Sequence, residues 1–186
     1  MIYFHGSPIG NIKTLQPNVS NHKEAFVYFS SNRSVALLYT VRKNWYPYGF
    51  SGENRIVEYT EYYPNALADI YAKKTGYVYE YDGEGIIENP TNIYCAYVSR
   101  LPVSTTNEEV IEDVLLEILK LEKQGLMIIK KYEDLSEEEH KAKSKMILRE
   151  IEDENLVEKN NDYARFVQEK FPSEWEVALN EKVQGD

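Results

Sequence analysis

The N-terminal run MIYFHGSP carries a β-prone Ile-Tyr-Phe segment into His5, Gly6 and Ser7. A histidine supplies a hydrogen-bonding ring, and a glycine lets a ligand reach the backbone N–H and C=O with no side chain in between. A planar amide suits such a backbone. A second group lies in VYFSSNRSVALLYT, where Tyr28 ends a strand and Tyr39 follows eleven residues later in the next helix. A strand–turn–helix that folds back can set two such rings across a slot, where stacking would hold a flat heterocycle. Each feature also has a plain structural reading: a histidine at a strand end, a strand aromatic and a helix-face core tyrosine.

Other chemistry is sparsely supplied. His22 and His140 have no partner at ligand spacing, so no metal site is expected. Cys95 is the only cysteine, which excludes an intramolecular disulfide and a cysteine-based zinc site. Its apolar neighbours make it a packed thiol rather than a nucleophile. Ser7 lacks the flanking pattern of a hydrolase nucleophile elbow. Glu137, Glu138 and Glu139 read as charges at a helix N-terminus, and DGEG at 82–85 reads as a hairpin turn.

The elements that must position these residues are legible as patterns. Ile2–Phe4, Phe26–Phe29, Ile56–Tyr59, the alternating YVYEYD and Tyr94–Val98 have the composition of strands. Gly6, Pro8, Gly10, Pro17 and Asn18 mark the stretch between the first two as a loop. Ser30, Ser31 and Asn32 offer a helix N-cap before Val35, Ala36, Leu38 and Tyr39. A helix is expected from Pro64 through Tyr71, with Gly76 beyond its end. Thr106/Glu109, Ser136/Glu139 and Ser173/Glu176 have capping-box spacing. An apolar stripe through Val110, Ile111, Val114, Leu115 and Ile118 predicts a helix ending near Gly125. Weaker stripes run through Met146 and Ile151, and through Phe166 and Phe171.

Composition divides the chain in the same place. Residues 1–100 hold nine Lys/Arg against nine Asp/Glu, with 14 of the 16 tyrosines and seven of the nine glycines. Residues 101–186 hold twelve Lys/Arg against twenty-two Asp/Glu, the whole net charge of −10. The expected organisation is a domain at 1–103 followed by an acidic helical extension at 104–186, packed on it or on a partner. An acidic chain is a poor nonspecific nucleic-acid binder, because counterion release needs Lys/Arg on the phosphates. No apolar run approaches membrane-spanning length, and the start lacks the charge and apolar pattern of a secretory signal, so a cytoplasmic protein is expected.

His-Gly-Ser on a first strand, then Tyr-Phe-Ser-Ser with a second tyrosine eleven residues on, resembles the diphtheria-toxin-like and poly(ADP-ribose)-polymerase-like branch of the ADP-ribosyltransferases. The resemblance covers roughly residues 1–100. It implies an α+β fold, a split antiparallel β-sheet core with flanking helices, followed here by the helical extension. NAD would be the co-substrate and no metal would be needed. His5 would bond a ribose hydroxyl, and the Gly6 backbone would hold the nicotinamide carboxamide beside Ser7. Tyr28 and Tyr39 would stack on the nicotinamide ring, with Ser30 and Ser31 in the turn near it. Some members bond the amide through a serine three residues before the second tyrosine; Ala36 stands there.

The family's catalytic glutamate opens a late strand, where the alignment sets Ile93. Glu80, Asp82, Glu84 and Glu88 are the candidates for a displaced carboxylate, Glu80 first because it sits within a strand. An exposed strand face is the bland reading of Glu80 and Asp82. The implied activity is mono-ADP-ribosylation of a macromolecule, a protein rather than a nucleic acid, with release of nicotinamide. A noncatalytic NAD or ADP-ribose-binding module that has lost the acid is the alternative. An RNA 2′-phosphotransferase-like enzyme is a third, although the front half shows no concentrated basic cluster.

Overall fold

A computed structural model describes residues 1–19, 24–42, 47–83, 87–90 and 93–185; His22, Glu84 and Gly85 lie outside the described residues. The front of the chain runs β1 (Tyr3–Ser7), β2 (Thr14–Leu15), β3 (Asn18–Val19), β4 (Ala25–Ser30), α1 (Arg33–Leu38), β5 (Tyr48–Ser51), β6 (Ile56–Thr60), α2 (Ala66–Tyr71) and β7 (Gly76–Tyr81). Then follow β8 (Ala96–Ser99), β9 (Val103–Ser104), β10 (Asn107–Ile111), α3 (Val114–Lys123), β11 (Met127–Lys130), α4 (Glu137–Asp153), α5 (Asp162–Lys170) and α6 (Pro172–Gly185). The fold is mixed α+β, with antiparallel sheets, helices and a C-terminal helical region. No helix among the described residues is long and apolar enough to cross a membrane.

The principal sheet has the order β10-β7-β1-β4-β3, with β8 also paired to β4. Facing residues on neighbouring strands share a sheet face, and alternate residues take opposite faces. One face carries Phe4, Gly6, Ser30, Val78 and Glu80, and α1 packs there. His5, Phe29 and Tyr79 lie on the other, through the registers Phe4↔Ser30, His5↔Tyr79 and Gly6↔Val78. Two apolar clusters follow from this alternation. Val35, Leu37, Leu38, Val78, Val114 and Ile118 are buried on the helical side. Leu15, Val27, Phe29, Tyr79 and Val103 are buried on the other. Smaller sheets have the orders β11-β6-β5 and β2-β9.

Several sequence expectations shift. The first strand does not stop at Phe4: His5, Gly6 and Ser7 belong to β1 and pair with Tyr79, Val78 and Tyr77. The stretch read as loop contains β2 and β3. Thr106 and Glu109 form no capping box, because residues 107–111 are a strand paired with β7. Thr106 instead donates from its N–H and from Oγ1 to the Glu80 carbonyl, at 2.9 and 3.1 Å, which starts that ladder. The helix cap is Asp113, whose side chain accepts from the Leu116 N–H.

Gly76 opens β7, and Lys73 (φ 56°) takes the left-handed position after α2. Tyr94 and Cys95 precede β8 rather than belonging to it, Cys95 in a left-handed turn at φ 53°. Ser173 lies inside α6, not at its cap. In α4 the buried stripe is Ile147 and Ile151, whereas Met146 is exposed. Asn32 caps α1, Ser136 and Glu139 form a full capping box on α4, and Gly125 (φ 71°) follows α3, as the sequence indicates.

The chain separates into two compact units, residues 1–59 with 67–129 and residues 60–66 with 130–186. The 103/104 step expected from composition falls inside β9, which pairs with β2. Within the second unit Tyr63, Phe166 and Phe171 form a mutually edge-on trio with centroids 5.8–6.2 Å apart. Lys130 pairs with Glu139 there, and that pairing, with the Ser136 bonds, lowers the Glu139 pKa to about 2.

Candidate functional site

The site begins where β1 and β4 part. The two strands are in register at Phe4↔Ser30, and continuing that register would set Gly6 opposite Tyr28. At that place the Tyr28 carbonyl accepts a hydrogen bond from a side chain: His5 Nδ1–H donates to it at 2.8 Å. A carbonyl can only accept, so the proton sits on Nδ1 and the neutral ring presents Nε2 as an acceptor. Burial lowers the His5 pKa below its ordinary 6.5, partly countered by the Tyr28 bond. The ring lies 6.0 Å from Phe29 and 6.4 Å from Tyr79, centroid to centroid.

Gly6 has a packing reason for its identity. A Cβ there would stand 1.9 Å from the Ala36 carbonyl oxygen and 3.0 Å from the Tyr39 carbonyl carbon. Only glycine lets α1 rest on β1 so closely, and that contact seats the helix end that presents Tyr39. Ser7 is buried, and its Oγ accepts from the Ile9 N–H at 3.1 Å, which shapes the turn leaving β1. Ser30 is buried too; its Oγ accepts from the N–H of Asn32, the N-cap of α1, at 3.0 Å.

Tyr39 forms the C-cap of α1 rather than sitting within it, and it is 38 % exposed. Its ring meets Tyr48 edge-on at 6.2 Å. From there edge-on contacts run Tyr48 to Phe50 at 6.0 Å and Phe50 to Tyr94 at 4.9 Å, and the Arg55 guanidinium lies 4.5 Å from the Tyr94 ring centroid. Burial, then Tyr48 and Cys95, push the Tyr39 phenol well above its ordinary pKa, so it stays a neutral ring. Cys95 is tied in from below: the Ser31 N–H donates to its carbonyl at 3.0 Å, and burial raises its thiol pKa despite a bond with Ser30. The structure therefore sets Ser30 and Cys95 at the start of α1, with the segment entering β8, and Gly6 and Tyr39 at its end. Tyr28 has Phe26 as an edge-on ring neighbour at 5.9 Å.

Ile93 stands three residues before β8, 54 % exposed, its carbonyl accepting from the Ala96 N–H at 3.2 Å. Glu80, facing Phe4 in register, lies on the face opposite His5. Glu88 forms an isolated bridge with Val98 and its carboxylate lies 3.6 Å from Arg100. Sequence reasoning missed another acid. Glu108 of β10 faces Tyr79, and Tyr79 faces His5, so Glu108, Tyr79 and His5 form one row across three strands on one face. Two strand spacings put the Glu108 and His5 backbones roughly 10 Å apart. Glu108 Oε2 accepts from the Asn11 N–H at 2.6 Å. Burial first, and then a bond with Glu108, raise the Tyr79 pKa to about 12. The Tyr79 hydroxyl donates to the Ile9 carbonyl at 2.9 Å and accepts from the Ile12 N–H at 3.1 Å. The signal for Glu108 was alternation in a short strand, hidden by apolar residues that also fit a helix.

Among the described residues no group of three or more His, Cys, Asp or Glu side chains is placed to hold a metal. No protein-family model, curated protein or solved structure matches this chain.

Proposed function

We propose that this chain is an NAD-dependent ADP-ribosyltransferase that transfers a single ADP-ribose to a macromolecular acceptor and releases nicotinamide. The observation that carries the reading is the His5–Tyr28 bond, because it leaves Nε2 of a neutral imidazole free of a proton. Such a nitrogen accepts from a sugar hydroxyl and repels no bound cation, which suits a substrate with a positively charged nicotinamide. Gly6, Ser30 and Tyr39, on the sheet face that α1 covers and across β1 from the His5 ring, are the residues this reading assigns to the planar slot. In this reading the Gly6 backbone holds the carboxamide, Tyr28 and Tyr39 stack on the ring, and Ser7, Ser30 and Ile93 border the slot.

Breaking the nicotinamide–ribose bond leaves the electron pair on nicotinamide and an oxocarbenium-like sugar, as in glycoside cleavage. A carboxylate that steadies the sugar must stand where His5 holds it. Glu108 shares the face of His5 and Glu80 does not, so Glu108 takes the role in the proposal, and Glu80 becomes the comparison. The acceptor then bonds to the anomeric carbon and its proton passes to the carboxylate or to solvent.

Incubation with labelled NAD and a cell extract tests the reading. Nicotinamide release and labelled macromolecule above a His5→Ala control are expected; equal signals would sink the transferase claim. One observation favours the noncatalytic alternative: Ile93, at the family's glutamate position, is exposed and outside any strand. Calorimetric binding of NAD without turnover would select that reading.

A further inference from the structure

The first residue of α1 is an arginine, which is a poor choice by local rules. A cation at a helix N-terminus opposes the helix dipole, and the first turn of α1 holds no acidic residue to offset it. Arg33 is instead used across the fold. Its Nε donates to Glu109 Oε2 at 2.8 Å and its Nη2 to Glu109 Oε1 at 2.6 Å, the two-pronged geometry that fixes direction as well as distance. Nη2 also donates to Glu117 Oε1 at 3.0 Å, and Glu117 in turn meets Lys120 at 3.1 Å. Burial works against the charge, yet the two carboxylates outweigh it and hold the guanidinium pKa above its ordinary value. The network is only partly exposed, with the Arg33 side chain 25 % and the Glu117 side chain 16 % accessible.

Resting on the transferase reading, we propose that Arg33 is a positioning residue that, through Glu109, sets how far Glu108 projects from β10 on the His5 face. The helix that starts with Arg33 ends at Tyr39, and its last turn sits on Gly6. Glu109 is the neighbour of Glu108 on β10, with its side chain on the opposite face. Holding Glu109 against α1 from one face therefore fixes how far Glu108 projects from the other. β10 borders only β7 in the principal sheet, so a clamp on its helix-facing side supplies what a second strand would. Arg33 touches neither substrate nor the reacting atoms; it acts through β10.

Arg33→Met removes the charge at similar length, and Arg33→Lys keeps the charge without the fork. Nicotinamide release by the full chain is expected to fall about 10- to 100-fold in kcat for Arg33→Met, as a displacement near 1 Å does elsewhere, with KM for NAD within about threefold. Arg33→Lys should recover part of the loss. In a Glu108→Gln background, Arg33→Met should add little, because both changes act on one step. Amide hydrogen exchange of Asn107–Ile111 should also quicken in Arg33→Met. Quickened exchange with kcat unchanged, or a full additive loss on top of Glu108→Gln, would reduce Arg33 to a stabilising residue and overturn the proposal. Unchanged exchange overturns it as well. If the unaltered chain releases no nicotinamide, the transferase reading fails on its own account; the exchange result then still decides whether Arg33 clamps β10.

Discussion

His5 combines three properties: half-burial, a fixed tautomer and a lowered pKa. Because the folded state holds it neutral below the pH where the unfolded chain would protonate, its contribution to stability is complete above about 6.5. That contribution is lost as pH falls through the lowered folded value. A pH series of thermal unfolding should therefore show a loss below about 6.5 that is smaller in His5→Gln, and NAD affinity should fall over the same range. Gly6 makes a sharper demand. A methyl group at that position meets backbone atoms of α1, not a movable side chain. Gly6→Ala should lower stability by roughly 1–3 kcal/mol in denaturant unfolding, the usual range for overpacking. An unchanged midpoint would mean α1 is not seated where the structure has it.

At the scale of elements, α1 is only six residues long, so its cap matters more than in a longer helix. Asn32 Oδ1 accepts from the Ser34 N–H at 2.9 Å. Asn32→Ala should cost about 1 kcal/mol, and chemical denaturation of the variant measures it. The same element shows what the sequence made legible. Turn residues before an apolar helix, β-branched and aromatic runs and the Ser136 capping box each depend on local chemistry, and each was readable. The strand at Asn107–Ile111 was not, because Val110, Ile111, Val114 and Ile118 fit a helix as well as they fit a strand followed by a helix. Long-range pairing with β7 decided it, and local propensity carries no record of such pairing. The acid on the His5 row was missed for that reason: Glu108 counts as a candidate only once it is known to lie in a strand two places from β1. Ser30 and Tyr39 sit on the short strand–turn–helix from Ala25 to Tyr39, whose pattern the sequence shows, whereas His5 and Gly6 lie on β1.

For the whole molecule, charge is unevenly spread along the chain, and Glu108 lies in its acidic part. The first hundred residues are neutral and hold His5, Gly6, Ser30 and Tyr39, while the net −10 lies entirely in the rest. Such a balance gives phosphate-rich acceptors no electrostatic help. Label transferred from NAD in an extract should accordingly be removed by protease and survive nuclease; the reverse pattern would reassign the acceptor to nucleic acid. If the chain cleaves NAD as proposed, His5 and Glu108, which share one face of the principal sheet, must both matter to the rate. The most direct test is the rate of nicotinamide release by the unaltered chain, His5→Ala, Glu108→Gln and Glu80→Gln under one set of conditions. Clear release by the unaltered chain is expected, with a loss of at least about 100-fold in Glu108→Gln, on the scale of acid–base and charge-stabilising groups, a marked loss in His5→Ala, and near-normal release by Glu80→Gln. Full activity in Glu108→Gln, or release by His5→Ala equal to that of the unaltered chain, would contradict the proposal.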